Sequence, residues 1–297
     1  MVVKITDLRK AGKYLLPGSA ACPGCGLAIA FRIVSKVLGK NTIYFIPACC
    51  TSVIQAPYPK SAFNVPVYNV AFMAAAAAAS GAVEGLKALG REDIQVVVWA
   101  GDGGTVDIGI QALSGAFERN HNLIYICYDN EAYMNTGIQK SGSTPFGAWT
   151  TTTPKGKIGI KKNMPFIVAS HGAPYVATAS IGYPLDLANK VKKAKRIEGP
   201  KYIHILTPCP PGWRFPMEKT VKIGKLAVDS YVWPLYEIEK GKLRLTLKPR
   251  RIPVEEYLKL QGRFRNLTPE DIEKIRGMVD EQWEILQKLE AIGKIFF

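Results

Sequence analysis

An apolar run that leads directly into a glycine–aspartate loop is the feature that most limits how this 297-residue chain can fold. Residues 94–99 include three consecutive valines, and Gly101-Asp102-Gly103-Gly104 follows almost at once. A strand that is apolar without alternation is typical of a parallel sheet covered by helices on both faces. Helical spacing of apolar residues returns over 108–119. The sequence therefore predicts a strand–loop–helix unit of the α/β kind.

The same alternation of strand and helix continues along the chain. The predicted strands cover residues 42–47, 94–99, 123–128, 175–179 and 202–206, and the predicted helices cover 26–38, 71–89, 108–119 and 184–196. Strands that alternate with helices imply βαβ units. The predicted fold class is therefore α/β, with a mostly parallel sheet and helices on both faces.

The composition changes after Pro208, where prolines and tryptophans become frequent. A hairpin is predicted around Lys240-Gly241. A final helix is predicted to begin after Thr268, because threonine caps helices and proline suits the first turn. We expect a cofactor-binding domain over residues 1–211 and an extension over 212–297 that packs on the core or on a partner subunit.

The net charge of +15 favours a polyanionic partner. Nucleic acid is not expected, because the chain carries no recognisable nucleic-acid-binding motif and its basic residues are spread among apolar ones. A solvated basic face, or docking to an acidic protein, is the better interpretation. No apolar run reaches the roughly 18–20 residues that span a membrane, and the N-terminus lacks a secretion signal. The expectation is a cytoplasmic protein without membrane contact.

An aspartate among glycines defines the chemistry of the loop. Glycines let backbone amides approach a phosphate at a helix N-terminus. A carboxylate at Asp102 repels a diphosphate unless a cation lies between them, and Mg²⁺ takes carboxylate, carbonyl and phosphate oxygens. Asn130 follows Gly103 after 26 intervening residues. This spacing resembles the thiamine diphosphate (ThDP) binding motif, although Asp129-Asn130 stands where the usual ending is Asn-Asn.

The six cysteines are more typical of metal ligands or buried thiols than of disulfides, because no secretion signal precedes them. Cys22 and Cys25 form a CxxC turn that suits zinc, a redox dithiol or an iron–sulfur cluster. Cys49 or Cys50, and also Cys209, follow predicted strands. Ligands of open parallel sheets collect at the carboxyl ends of the strands. We therefore expect these thiols to converge beside the diphosphate site.

Seven motifs occur in the order found in the beta subunits of 2-oxoacid:ferredoxin oxidoreductases, a family that this chain resembles. They are CPGCG, ACCTS, the alanine-rich helix, GDGGTVDIG, YDNEAYMNTGIQ, STPFGAWTTTTP and TPCPPGW. The resemblance covers residues 17–235 and is greatest for the pyruvate type. It implies a subunit that binds the diphosphate half of ThDP, its Mg²⁺ and a nearby 4Fe–4S cluster.

The resemblance also implies roles for individual residues. The implied cluster ligands are Cys22, Cys25, Cys50 and Cys209. Cys50 is preferred over Cys49 because a short hydroxyl pair follows it. The implied Mg²⁺ ligands are the side chains of Asp102 and Asn130 and the backbone carbonyl of Ala132. The implied cofactor-binding residues are Thr51, Ser52, Gly101, Asp102, Gly103, Gly104, Thr105, Asn130, Asn135 and Thr136. Asn135 is the candidate catalytic residue, near the thiazolium and the substrate carbonyl.

The activity implied by the resemblance is oxidative decarboxylation of pyruvate with coenzyme A to acetyl-CoA and CO₂, with electrons passing through the cluster to ferredoxin. Loop 135–153 contains no arginine to pair a distal carboxylate, which argues against 2-oxoglutarate. Enzymes for 2-oxoisovalerate, 2-oxoglutarate or oxalate stay open as alternatives, as does a non-catalytic metal-binding scaffold subunit.

The sequence offers no second α/β domain for the carboxylate that activates ThDP. We therefore expect that carboxylate, and most coenzyme A contacts, on other subunits (alpha, gamma and delta, or fused equivalents). Four remaining residues of reactive type are assigned structural roles. Cys127 lies inside a predicted strand and behaves as a small buried hydrophobe. His121, His171 and His204 have no cysteine or glutamate at ligand or triad spacing.

Overall fold

An open sheet of eight strands runs through the part of the chain that the computed structural model describes, residues 2–296. The strands are Thr42–Pro47 (β1), Val67–Val70 (β2), Gln95–Gly101 (β3), Ile124–Asp129 (β4), Tyr175–Ser180 (β5), Lys201–Leu206 (β6), Tyr236–Glu239 (β7) and Lys242–Leu245 (β8). Their order is β2-β1-β3-β4-β6-β5-β7-β8. The first six strands in this order pair in parallel with their neighbours. β7 pairs antiparallel with β5, and β8 pairs antiparallel with β7. The predicted α/β class with a mostly parallel sheet is confirmed.

Helices lie between most of the strands. They are Ile5–Lys10 (α1), Gly26–Leu38 (α2), Cys50–Gln55 (α3), Ala75–Ala88 (α4), Ile110–Glu118 (α5), Met164–Ala169 (α6), Pro184–Ala194 (α7), Pro210–Trp213 (α8), Thr220–Asp229 (α9), Val254–Leu258 (α10) and Pro269–Ile292 (α11). A π-helical turn covers Gly103–Asp107, and 3₁₀ turns cover Met217–Lys219 and Gly262–Phe264. None of the helices within residues 2–296 is both long enough and apolar enough to cross a membrane.

Helices cover both faces of the sheet because successive side chains of a strand point to opposite faces. On β3, Val97 and Trp99 join the core formed with α2 and α7. Val98 and Ala100 join the core formed with α4, α5 and α6. All four side chains are buried. This is why the strand reads as one continuous apolar run.

The order of the sheet places four loops side by side at its carboxyl edge. β1, β3, β4 and β6 are consecutive parallel neighbours. Their carboxyl ends lead to Cys49-Cys50, Asp102, Asn130 and Cys209, respectively. Residues up to 160 positions apart in sequence are thereby brought to one edge, as the rule for parallel sheets predicts.

The predicted strands and helices agree with the structure to within a few residues, but the shorter helices α1, α3, α6, α8, α9 and α10 were not predicted. The helix after the glycine loop begins at Ile110 rather than Ile108, because the π-helical turn comes first. A Cβ added at Gly109 would lie 2.0 Å from the carbonyl oxygen of Gly104, so this turn requires a glycine. The edge strand β2 was not predicted, because four half-exposed residues form neither an alternating nor an apolar run.

Residues beyond 212 extend the same sheet. β7 pairs with β5, β8 pairs with β7, and α11 packs against β8. Positive φ values at Lys240 (+48°) and Gly241 (+76°) form the two-residue turn between them, so the predicted hairpin is confirmed. The hydroxyl of Thr268 accepts a hydrogen bond from the amide of Asp271 (3.2 Å) and caps α11 as predicted.

Candidate active site

Asp102 occupies the turn between β3 and the π-helical segment. Its side chain is buried. Burial, and then the negative charge of Asp129, raise the pKa of the Asp102 carboxyl well above its usual range. At the next residue, Gly103, a Cβ would lie 2.2 Å from a ring carbon of Tyr133. The backbone around Asp102 can therefore take this position only because glycine follows.

Three polar groups, the oxygen cluster, meet in front of Asp102: its own carboxylate, the amide of Asn130 and the backbone carbonyl of Ala132. With its nitrogen facing them, the Asn130 amide donates to Asp102 Oδ1 (2.9 Å) and to the Ala132 carbonyl oxygen (2.8 Å). With its oxygen facing them, three oxygens converge with no hydrogen between them. The arrangement therefore suits either two hydrogen bonds or one cation that all three oxygens coordinate.

Neighbouring side chains hold this turn in place. Ser141 Oγ donates to Asp102 Oδ2 at 2.5 Å, which leaves Oδ1 facing Asn130. Asp107, at the end of the π-helical turn, accepts hydrogen bonds from the Tyr133 hydroxyl (3.0 Å) and the Gly142 amide (2.8 Å). The loop after β4 is thereby tied to the loop after β3.

A cavity of about 160 Å³ opens between these loops. Its wall contains most of the predicted site residues, namely Cys50, Gly101, Asp102, Gly103, Gly104, Asn130, Ala132, Asn135 and Thr136, and also Cys49. Asn135 and Thr136 are exposed, whereas Asp102 and Asn130 are buried. The cavity is therefore deep at the oxygen cluster and opens to solvent beside Asn135.

Three predicted hydroxyl residues lie next to the cavity and direct their side chains elsewhere. Thr51 Oγ1 accepts from the indole of Trp99 (3.1 Å). Ser52 Oγ donates to the Pro47 carbonyl (3.2 Å), and Thr105 Oγ1 donates to the Gly101 carbonyl (2.8 Å). These hydroxyls stabilise the loops after β1 and β3.

The loops that carry four of the cysteines pack against one another. A Cβ at Gly26 would lie 2.6 Å from the Pro208 carbonyl oxygen, so the CxxC turn touches the loop of Cys209. Burial, and then the nearby thiols of Cys25 and Cys22, raise the pKa of Cys209 to about 12. Burial, and then Cys209, also raise the pKa of Cys50. Neighbouring thiols thus contribute to the raised pKa of both Cys50 and Cys209.

All six cysteines are free. Cys22 is exposed, Cys127 is buried, and the other four are partly buried. Among residues 2–296, no three His, Cys, Asp or Glu side chains are arranged to hold a single metal ion.

A buried charge network lies directly behind the oxygen cluster, and the sequence analysis did not predict it. Glu131 Oε1 lies 3.0 Å from Lys161 Nζ, and Glu131 Oε2 lies 2.7 Å from Arg263 Nη2. Burial raises the pKa of Asp129, but Lys161 and His204 outweigh this effect and leave it lowered. Lys161 and Arg263 lie about 30 and 130 positions after Glu131. The only signal in the sequence for buried cations was therefore the pair of carboxylates in Asp129-Asn130-Glu131.

Each histidine has a structural partner. His204 is buried, with Nε2 2.8 Å from Asp129 Oδ2 and Nδ1 2.8 Å from the Tyr202 hydroxyl. His171 Nε2 lies 2.8 Å from Ser114 Oγ, and His121 lies 3.5 Å from Glu84. The pairing of His204 with an aspartate at the end of the neighbouring strand was not predicted, because it depends on the order of the strands.

Two comparisons place this geometry among known proteins. Residues 48–205, more than half of the chain, match the model of the thiamine pyrophosphate enzyme C-terminal TPP-binding domain. The pyruvate synthase subunit PorB of Methanothermobacter thermautotrophicus is 57% identical over 274 residues, which are 90% of this chain and 95% of that protein. The ketoisovalerate oxidoreductase subunit VorB of Pyrococcus horikoshii is 50% identical over 93% of both chains.

A solved structure shares the fold. The 2-oxoglutarate:ferredoxin oxidoreductase of Magnetococcus marinus aligns with a TM-score of 0.58 and 24% identity, over 73% of this chain and 81% of that one. The match to the family model begins directly after β1 and extends into β6, so it includes the loops that form the cavity. The chain therefore belongs to the thiamine pyrophosphate enzymes and, within them, to the beta subunits of the 2-oxoacid:ferredoxin oxidoreductases.

Proposed function

We propose that this chain is the beta subunit of a pyruvate:ferredoxin oxidoreductase. In this reaction pyruvate and coenzyme A become acetyl-CoA and CO₂, and two electrons pass singly to two oxidised ferredoxins. The observation that carries the proposal is the three-oxygen cluster of Asp102, Asn130 and Ala132 beside the cysteine loops. It occurs in a chain that is 57% identical to a PorB subunit over nearly its whole length.

The oxygen cluster fits Mg²⁺. Adjacent ligands of an octahedral Mg²⁺ with bonds of about 2.0–2.1 Å lie about 2.9 Å apart. The end of the Asn130 amide that faces these groups lies 2.9 Å from Asp102 Oδ1 and 2.8 Å from the Ala132 carbonyl oxygen, so the spacing fits when the amide presents its oxygen. In this proposal these three residues would hold the ion, which would offset the charge of the ThDP diphosphate. The backbone of Gly103 and Gly104 would form the rest of the diphosphate cradle, and Thr51, Ser52 and Thr105 stabilise the loops beside it.

The four clustered thiols suit a 4Fe–4S cluster. Such a cluster has four separate iron corners, so its cysteines stand farther apart than the ligands of one ion. Cys22, Cys25 and Cys209 come from loops that touch one another, and Cys50 begins α3 after β1, at the same carboxyl edge of the sheet. We assign Cys50 rather than Cys49 as the fourth ligand, because the hydroxyl pair Thr51-Ser52 directly follows Cys50.

The exposed rim of the cavity is the place for the substrate. When bound, ThDP supplies the carbanion that adds to a 2-oxoacid carbonyl and allows CO₂ to leave. Asn135 lies at the mouth of the cavity beside Thr136, and we propose that its amide positions the substrate carbonyl. The Thr136 hydroxyl donates to Gln139 Oε1 (2.6 Å), which fixes this rim.

The proposed active site is completed by other subunits. Within residues 2–296 a single α/β sheet is present, and its cavity is open beside Asn135. ThDP enzymes also need a carboxylate beside the aminopyrimidine of the cofactor. Within residues 2–296 the open side of this cavity has no wall that could carry that carboxylate. We propose that alpha, gamma and delta subunits, or fused equivalents, supply that carboxylate, the coenzyme A site and the path to ferredoxin.

An analysis of the anaerobically purified complex tests the proposal. We expect one ThDP and about four irons per chain from the cluster described here, after subtraction of the iron of partner subunits. The chain alone should not turn over pyruvate, and added partner subunits should restore activity. Stoichiometric zinc in place of iron, or a complex without ThDP, contradicts the proposal and favours a non-catalytic scaffold.

A second candidate substrate is 2-oxoisovalerate, since a VorB subunit is 50% identical over 93% of this chain. Steady-state kinetics with coenzyme A and ferredoxin on pyruvate, 2-oxobutyrate, 2-oxoisovalerate, 2-oxoglutarate and oxalate separates the two. We expect the highest kcat/KM for pyruvate. A pocket discriminates by only about 1–3 kcal/mol per methylene, so a tenfold preference is a meaningful result.

A further inference from the structure

Glu131 has an unusual backbone conformation between two of the proposed Mg²⁺ ligands. Its φ is +64°, in the left-handed region that residues other than glycine and asparagine rarely adopt. Asn130 precedes it and Ala132 follows it. The rotation at Glu131 therefore sets how the Asn130 side chain and the Ala132 carbonyl face each other across the 2.8 Å gap.

Contacts to every part of Glu131 hold that conformation. Its amide donates to Asp129 Oδ1 (2.8 Å), and its carbonyl accepts from Thr144 Oγ1 (2.7 Å). Its carboxylate is buried between Lys161 Nζ (3.0 Å) and Arg263 Nη2 (2.7 Å). The contact with Arg263 is an ion pair without the alignment of a hydrogen bond.

Arg263 reaches the metal-binding turn through a second contact. Its guanidinium stacks 3.6 Å above the indole of Trp213. The indole N–H of Trp213 donates to the backbone carbonyl of Asn130 at 2.7 Å. Arg263 thus acts on both sides of the Asn130–Glu131 peptide, through a carboxylate on one side and an aromatic ring on the other.

Arg263 is itself rigidly placed. It is buried, its Nε donates to Gln261 Oε1 (2.9 Å), and its Nη2 donates to the Tyr257 hydroxyl (3.2 Å). Its carbonyl accepts from the Trp149 amide (2.8 Å). A buried cation that is held from all sides is suited to imposing a conformation on its neighbour.

We propose that Arg263, in the C-terminal extension, is a positioning residue for the metal–diphosphate turn. It keeps Glu131 in its left-handed conformation and so keeps the oxygens of Asn130 and Ala132 at coordination distance. The inference rests on the proposed function, because it takes those oxygens as ligands. In this proposal the cofactor site includes a residue far beyond segment 48–205, the segment that matches the TPP-binding family model.

Manganese binding to the assembled complex tests this inference without activity. Mn²⁺ replaces Mg²⁺ at oxygen sites, and its EPR signal reports free and bound ion in the presence of excess ThDP. We expect Arg263→Met to weaken Mn²⁺ binding about tenfold or more, the effect typical of groups that orient metal ligands. Glu131→Gln, which keeps the shape and loses the charge, should weaken it in the same direction.

Two further variants separate positioning from general stability. The double variant Glu131→Gly, Arg263→Met removes both charges. Because glycine adopts positive φ freely, this variant should bind Mn²⁺ more tightly than Arg263→Met and nearly as tightly as the wild type. Arg276→Met, in which an exposed arginine of α11 loses its pairs with Glu255 and Glu273, should bind Mn²⁺ like the wild type.

The outcomes are distinct. Wild-type affinity in Arg263→Met, with or without a lower melting temperature, overturns the inference. So does a double variant that binds as weakly as Arg263→Met. A wild-type complex that binds neither Mn²⁺ nor ThDP overturns the proposed function instead, and is recognised before any variant is measured.

Discussion

The metal–diphosphate turn and the cysteine loops lie at the same sheet edge but are built differently. The turn is buried and held by side chains, from Ser141 on Asp102 to Arg263 on Glu131. The cysteine group joins three separate loops, and one of its thiols, Cys22, is exposed. The geometry of the turn is therefore determined by contacts with many neighbouring side chains. The geometry of the cysteine group is determined mainly by the order of the strands, which brings its loops together. Substitutions of the residues that support the turn should have graded effects, whereas substitutions of its proposed ligand Asp102 or of the cysteines should have all-or-none effects.

The largest effect is expected at Asp102. Asp102→Ala removes the carboxylate from the oxygen cluster, so the complex should lose ThDP while keeping its iron. The exposed Asp93→Ala, which loses only a pair with Arg91, is the control. ThDP and iron are measured on the same sample. Normal ThDP retention in Asp102→Ala contradicts the assigned metal site, and simultaneous loss of iron shows that the two regions are not independent.

The cysteine loops should show the reverse pattern. Cys22→Ser, Cys25→Ser, Cys50→Ser and Cys209→Ser should each lose most of the iron, because a 4Fe–4S cluster depends on all four thiolates. ThDP retention should stay near the wild-type level. Cys127→Ser is the buried control, since its Sγ contacts His204 at 3.8 Å and lies away from the cavity wall.

Cys49→Ser decides between the adjacent thiols. If Cys49→Ser loses iron and Cys50→Ser keeps it, the assignment of the fourth ligand is reversed.

A smaller effect is expected at the glycine that lets Tyr133 approach the turn. In Gly103→Ala the new methyl would lie 2.2 Å from the Tyr133 ring, so the ring or the turn must shift. Overpacking of this kind costs about 1–3 kcal/mol, and ThDP affinity should fall with it. Gly81→Ala is the control, because nothing lies within 4 Å of the added methyl and alanine favours the helix. The melting temperature should therefore fall in Gly103→Ala and rise in Gly81→Ala, and calorimetric titration should show weaker ThDP binding in Gly103→Ala alone.

Graded behaviour of the turn is tested at Ser141. Ser141→Ala removes the 2.5 Å hydrogen bond to Asp102 and should weaken Mg²⁺-dependent ThDP binding about tenfold, without abolishing it. Ser143→Ala is the matched control, because within residues 2–296 the buried Ser143 hydroxyl has no hydrogen-bond partner. Equal affinity in the two variants shows that Ser141 does not orient the carboxylate.

The smallest effect is expected outside both regions. Thr268→Ala removes the cap of α11 and should lower the free energy of unfolding by about 1 kcal/mol, since the hydroxyl no longer accepts from the Asp271 amide. Urea denaturation measures this change. ThDP and iron contents should not change, which sets the baseline for a purely structural substitution.

Local chemistry made much of this protein predictable from sequence. The unbroken apolar run of β3 indicated a buried parallel strand, and a carboxylate among glycines indicated a cation beside a phosphate. The helix cap at Thr268 and the hairpin turn at Lys240-Gly241 were also predictable from the sequence. These features depend on residues within a few positions of one another, so their physics is visible in the sequence.

The tertiary structure alone decided which distant residues meet. The strand order β1-β3-β4-β6 brings the cysteine loops to the metal turn and sets His204 against Asp129. Lys161 and Arg263 carry no motif, yet they neutralise the carboxylates behind Asn130. A buried charge must be paired wherever the fold places it, and the partner can come from any part of the chain. Spacing along the sequence therefore revealed the proposed ligands, but not the residues that hold them.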